Sequence, residues 1–287
     1  MDYLQKENRI MKELEKILYN YLPDEDVKQI LKSKRQFISL DLVDEPTNLY
    51  SSKVGGYGYL PKSFPYPTNK NNQPLSLLAQ LNFDELPKLE SFPKTGILAF
   101  YVDYIDANSY IGLNFDNVTE QSGYKVLYFS KIDEEHHTVE EQKKLFISYF
   151  DKFIWQVVFE ERKLRGFLSE TIPILDIVEF EQFMGESYYD FIEGRFLDED
   201  KQDEFEELIF ENNIENTCIG GYPFFTQSDP RGYDQKLQEE YNTLLFQLNS
   251  YNDIVMWGDT GVGNFFINDE KLKNKDFSDV LYNWDCY

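Results

Sequence analysis

The loop Gln227-Ser228-Asp229-Pro230-Arg231 sets an amide, a carboxylate and a guanidinium within a few positions, and Asp259 lies in a second loop, Trp257-Gly258-Asp259-Thr260-Gly261-Val262-Gly263. Brought together, Gln227, Asp229, Arg231 and Asp259 would make a polar pocket able to hold a small ligand or to support hydrolysis. Kept apart, they are turn chemistry: Asp229 caps a turn ahead of Pro230, and Arg231 pairs with one of the many acids. Other reactive groups are poorly placed. His136 and His137 are the only histidines, and adjacent positions point apart on regular structure, with no third ligand at metal spacing. Cys286 follows Asp285, whose charge raises a thiol pKa, and no histidine is near in sequence. The Asp259 loop lacks both Gly-x-Gly-x-x-Gly and a following Lys-Ser/Thr, and it leads into a strand, so it is no phosphate cradle. A proton-sharing carboxylate pair needs a second acid, and the matching place earlier in the chain holds Lys94-Thr95-Gly96. Acid pairs such as Glu160-Glu161 or Asp198/Asp200 are too frequent to single out. No metal or cofactor is expected.

The elements that carry these loops occur twice. Gly55-Gly56-Tyr57, then Leu77-Leu78-Ala79-Gln80-Leu81-Asn82, then Gly96 with the strand after it, is one series. Gly220-Gly221-Tyr222, then Leu244-Leu245-Phe246-Gln247-Leu248-Asn249, then Gly261 with its strand, is the other. The interval from Gly56 to Gly96 equals that from Gly221 to Gly261. A period this long lies far beyond the roughly 20 to 50 residues of solenoids and propellers and reads as a duplicated half-domain. Gln80 and Gln247 then hold equivalent places inside apolar strands. Their repetition argues for a structural task, since a buried amide left unpaired costs about 1–3 kcal/mol.

Composition limits the function. Of 287 residues, 41% are hydrophobic and 17% aromatic, enough to build a large core without disulfide staples. The formal net charge of −24 disfavours nucleic acid and anionic membrane surfaces, which need clustered Lys and Arg. It suits solubility or a docking surface for a basic protein. No apolar run reaches the length of about 20 residues that spans a bilayer, and the N-terminus lacks the order of a signal peptide. Cys218 and Cys286 are too few for a disulfide framework, so a reducing cytoplasm is the simplest setting, with a single bridge between them left open.

Spacing predicts amphipathic helices over 3–20 and 24–32, a first strand over 37–43, and strands over 76–83, 96–104, 110–116 and 124–132. Thr138 and Glu141 have capping-box spacing in a polar loop or short helix over 133–144. Periodicity from 145 to 170 is ambiguous, with a strand favoured over 154–169. An acidic helix over 198–212 precedes strands at 241–249, 253–258, 262–268 and 279–285, with a tight hairpin joining the middle pair. The expected architecture is α+β, with mixed, mainly antiparallel sheets, an internal pseudo-twofold repeat, and N-terminal and peripheral helices. Residues 1–34 form N-terminal helices. Residues 35–287 form one domain of two repeats, about 35–132 and 200–287, linked by 133–199.

Gly55-Gly56-Tyr57 with Leu60-Pro61, the 77–82 strand, the run from Gly220 to Arg231 and the terminal Asn283-Trp284-Asp285-Cys286 together resemble the YwqG-like family of bacterial proteins of unknown function. The likeness covers the chain from about residue 35 onward. It implies an α+β globule with an internal repeat, a stand-alone cytosolic protein associated with toxin–immunity loci, and no catalytic residue to carry over. The expected function is therefore a non-enzymatic, acidic, immunity-like module that occludes a basic partner, with Tyr222, Phe224 or Trp257 as the aromatic anchor. The alternative is a small-ligand binder or hydrolase using a pocket between the repeats. Oligomeric state is not readable.

Overall fold

Two long strands, β1 (Arg35–Val43) and β6 (Arg162–Thr171), pair antiparallel from Arg35–Thr171 to Val43–Lys163 and form the spine of one ten-stranded sheet. The computed structural model describes residues 3–149, 152–175, 177–212 and 217–287. Outward from β6 run β2 (Lys53–Val54), β3 (Ser76–Asn82), β4 (Ile97–Val102) and β5 (Tyr124–Phe129). Outward from β1 run β7 (Cys218–Gly220), β8 (Thr243–Asn249), β9 (Val262–Ile267) and β10 (Leu281–Asp285). All these strand pairings are antiparallel, so a single antiparallel sheet replaces the mixed sheets expected.

The two wings curl until their inner faces meet. Phe100 of β4 lies 4.6 Å from Phe246 of β8 and 4.9 Å from Phe265 of β9, ring centre to ring centre. Tyr124 of β5 is 5.0 Å from Tyr282 of β10 and donates its hydroxyl to the Val280 carbonyl. This contact explains why β3, β4, β8 and β9 are apolar almost throughout rather than alternating: the outer face of each wing is covered as well. Helices α1 (Tyr3–Tyr21), α2 (Asp24–Lys32), α4 (Val178–Met184), α5 (Tyr188–Arg195) and α6 (Glu199–Asn212) build a second apolar cluster around Leu18, Val27, Phe180, Phe191 and Phe205. Helix α3 (Val139–Phe146) covers the first wing, and α7 (Gln235–Glu240) and α8 (Asp269–Lys273) flank the second.

Each wing has an irregularity at the same place, a register shift between Leu77 and Ala79 in β3 and between Leu244 and Phe246 in β8. Just beyond it sits the buried glutamine. Gln80 accepts the Tyr59 N–H at 2.7 Å and donates to the Leu49 and Ser51 carbonyls; Gln247 accepts the Phe224 N–H at 2.8 Å and donates to Asn249. Each accepted N–H lies three residues beyond a double glycine whose φ values, 67° and 68° in one wing and 71° and 75° in the other, are left-handed.

Several expectations need correction. Residues 110–116 form turns, since Tyr110, Ile111 and Gly112 all have positive φ (45°, 60° and 84°), which no strand accommodates. The strand expected over 154–169 starts only at Arg162, after an irregular aromatic segment. Residues 253–258 hold turns and a single bridging residue, Val255, rather than a strand, so the hairpin is made by β8 and β9, joined by residues 250–261. Helices α4 and α5 lie in the part of 133–199 for which the sequence predicts only a link. The capping box on α3 forms as its spacing predicts, with reciprocal bonds between Thr138 and Glu141. No disulfide joins Cys218 to Cys286.

Replacing Gln80 by Leu would strand one N–H and two carbonyls in the core at about 1–3 kcal/mol for an unmet group. Gln80→Leu is expected to lower the melting temperature by several degrees in a thermal scan. An unchanged midpoint would show that the amide carries no such role.

Candidate functional site

Arg231 is fully buried, and its guanidinium is met on every side. Nε and Nη2 donate to Asp229, Nη1 and Nη2 donate fork-on to Glu179 at 3.0 Å, and Nη1 also reaches the Tyr241 carbonyl. The ring of Phe266 lies 4.2 Å beneath the guanidinium carbon. The two carboxylates hold Arg231 firmly charged in spite of its burial. Asp229 also takes the backbone N–H groups of Arg231 and Val178, so the cluster ties the 229–231 turn to the start of α4.

The polar pocket expected from Gln227, Asp229, Arg231 and Asp259 is not assembled. Gln227 is held by Asp285 and by the Cys286 carbonyl, and Asp259 is exposed, with its own carbonyl accepting the Tyr287 N–H. Tyr222, Phe224 and Trp257 are 7%, 8% and 0% exposed, too little to anchor a partner. Tyr222 donates to the Ser33 carbonyl, and Trp257 stacks on Trp284 over Gly263, where a Cβ would come within 2.3 Å of the indole. Trp257 is part of the core between the wings, whereas Tyr222 is packed into the helical cluster. His136 is half-buried against Tyr50 and Tyr59. Among the described residues no group of three or more His, Cys, Asp and Glu side chains is placed to hold a metal ion, and no helix is long and apolar enough to cross a membrane.

A cleft opens beside each double glycine. The first, about 270 Å³, is walled by Tyr57, Tyr104, Phe146, Phe153 and Phe159, with Glu160 and Glu161 at its edge. Its floor is close-packed: a Cβ on Gly56 would lie 1.8 Å from Glu161 Oε2, and one on Gly55 would lie 2.8 Å from Val158. Phe146, at the end of α3, meets Phe153 at 6.1 Å and Tyr57 at 6.3 Å, edge to face. Burial raises the pKa of both Tyr57 and Tyr104, so the walls remain neutral phenols. Glu161 is matched by the buried Lys53 at 3.1 Å, and Glu160 by Arg162 at 2.5 Å. Ile154, Trp155 and Phe159 of the segment that walls this cleft are exposed by 52%, 42% and 56%.

The second cleft, about 640 Å³, lies at Gly220-Gly221 and is lined by Arg35, Glu90, Asn242 and Asp269, among others. The matched strand starts Ser76-Leu77 and Thr243-Leu244 line the two clefts respectively.

Residues 52–286 match a protein family described as a domain of unknown function, DUF1963. The chain belongs to the DUF1963 family. The DUF1963 span takes in both double glycines and both wings, while α1, α2 and the spine strand β1 precede it. No curated protein matches the chain.

Sequence reasoning missed Glu179, one acid among 52 with no distinguishing spacing. It also passed over the first cleft's ring wall, though the loss of clear periodicity after residue 145, together with its aromatics, was the available signal.

Two outcomes follow. Arg231→Met leaves two buried carboxylates uncompensated and should reduce unfolding free energy by about 3–5 kcal/mol in urea titration. A loss under about 1 kcal/mol would contradict the role assigned to this cluster. The second concerns α3. Its capping carboxylate, Glu141, is lowered from 4.5 to about 2, first by Lys62 and then by its bonds to Thr138. A depressed carboxylate supports the fold above its unfolded pKa and loses that support as pH falls through its folded one. Acidification from about pH 5 to about pH 2 should therefore lower the protection of the Glu141 amide, its exchange measured against an unstructured amide at the same pH, before that of the β3 and β4 amides.

Proposed function

We propose that the protein is a binding module for a basic partner protein, and that the cleft at Gly55-Gly56 receives a lysine or arginine side chain of that partner. The observation that carries this reading is the joining of a five-ring cleft to exposed Trp155 and Phe159 on a chain of net charge −24. Neutral aromatic walls attract a cation through their π faces, worth about 0.5–2 kcal/mol depending on desolvation. Glu160 and Glu161 already have cationic partners, so the attraction comes from the rings and the field of the whole surface rather than from a free carboxylate. Trp155 and Phe159 supply the aromatic anchors in place of the buried trio. A cytoplasmic setting and the YwqG-like likeness belong to the same reading, supported by the unbridged cysteines and the Gly220-to-Gln227 run.

We infer further that the wings are copies of one unit about a pseudo-twofold axis between β1 and β6. Support comes from the matched strand succession, the paired register shifts, the paired glutamine bonds and the four left-handed glycines. In this reading the copies are β1 to β5 and β6 to β10, and their first strands are exchanged: β1 pairs with β7, and β6 with β2. The second copy then starts at Arg162 rather than near residue 200, and the link shortens to residues 130–161.

The partner reading is tested by titrating a blocked tetra-arginine peptide, with its tetra-glutamine counterpart as control, at low and at physiological salt. Binding of the arginine peptide alone is expected, weaker at the higher salt, and reduced about tenfold by Trp155→Ala with Phe159→Ala. No binding at low salt, or binding indifferent to the double substitution, would remove this reading.

A further inference from the structure

We propose that the second cleft binds a small zwitterion, a free amino acid, whose carboxylate meets Arg35 and whose ammonium meets Glu90. Of the arginines whose side chains are described, Arg162, Arg165, Arg195 and Arg231 all pair with carboxylates. Arg35 alone among them has no carboxylate within 4.0 Å among the described residues. In a chain with 52 acids against 28 bases, an unmatched guanidinium is the exception that needs a reason. It is also held still: its carbon lies 4.5 Å over the Tyr222 ring and 5.7 Å from that of Phe183, and the Tyr222 hydroxyl is bonded to the Ser33 carbonyl. Burial pushes Tyr222 up to about 12, so a neutral phenol, not a phenolate, lies beneath Arg35. A planar fork fixed in this way is ready for a carboxylate with little ordering left to do.

Glu90 lines the same cleft, is exposed, and has no cation within salt-bridge distance among the described residues. The two unmatched charges do not pair with each other, and both line one cleft, so they offer a zwitterion a partner of each sign. Asp269, the other carboxylate on the wall, is engaged by Lys273 and Asn242. The two carboxylates that line the cleft with Arg35 repel a dianion such as phosphate, and Arg35 repels a bare amine. Gly220 and Gly221 close the floor, since a Cβ on either would come within 2.8 Å of Leu89 or Phe37. This site is separate from the ring-walled cleft and stands whether or not that one takes a basic partner.

The test titrates the full chain with a panel of free neutral amino acids, with acetate, methylammonium and inorganic phosphate as half-ligand controls, following the Gly220 and Gly221 amide resonances. At least one amino acid should shift both resonances, and none of the controls should match it. Arg35→Gln and Glu90→Gln should each weaken that binding about tenfold or more. Glu90 is exposed and makes no packing contact of note, so Glu90→Gln decides the matter should Arg35→Gln impair folding. The proposal falls if no amino acid shifts these resonances, if acetate or phosphate binds as well, or if Glu90→Gln leaves the affinity unchanged.

Discussion

A primary amide in the middle of an apolar strand is tolerable only when its oxygen and nitrogen are both met. Gln80 and Gln247 satisfy that demand by reaching sideways to backbone that has no ladder of its own, the stretches following the double glycines. The bond works in both directions. It keeps the glutamine from being an unpaid polar atom in the core, and it fixes Tyr59 and Phe224, hence the left-handed glycines three residues earlier. Those glycines are the floors of both clefts. Any ligand chemistry at either place therefore depends on a hydrogen bond made from inside the sheet.

The second condition is the curl. A flat ten-stranded antiparallel sheet would leave Phe100, Phe246 and Phe265 open to water. Bringing β4 against β8 and β9 hides them and turns one sheet into a two-layered core. Helices α4 to α6 then cover part of the outside, and the Arg231 cluster fastens α4 to the 229–231 turn. The loops that join strands gather at the rims left over, where the segment 153–161 walls one cleft and the start of β1 the other.

Strong periodicity and repetition were readable; sparse, nonlocal pairing was not. The helices α1, α2 and α6, the strands β3, β4, β8 and β9, and the Thr138–Glu141 cap follow from spacing within a few turns or pleats. The two glutamines stand out in sequence as polar residues inside apolar strands, but which backbone groups they meet depends on segments more than 20 residues away. Tyr222, Phe224 and Trp257 misled because aromatic type does not reveal whether a ring faces solvent or the interior. Arg231 was seen as paired to some acid, but which acid depends on α4 arriving from elsewhere in the chain. Arg35 carried no signal at all: that no carboxylate among the described residues pairs with it is a fact of three dimensions.

The spine has a consequence for how the chain is made. β1 leaves the ribosome well before its two neighbours, β6 and β7, which are translated only after the whole first wing. At roughly 5–20 residues per second, Val43 waits on the order of ten seconds for Lys163 to exist. During that interval the first wing has β2 with no neighbour on one side and an apolar inner face with nothing opposite it. The strand order itself thus leaves an apolar half-sheet uncovered during synthesis, and a pause placed before residue 162 would lengthen the period in which it stands open.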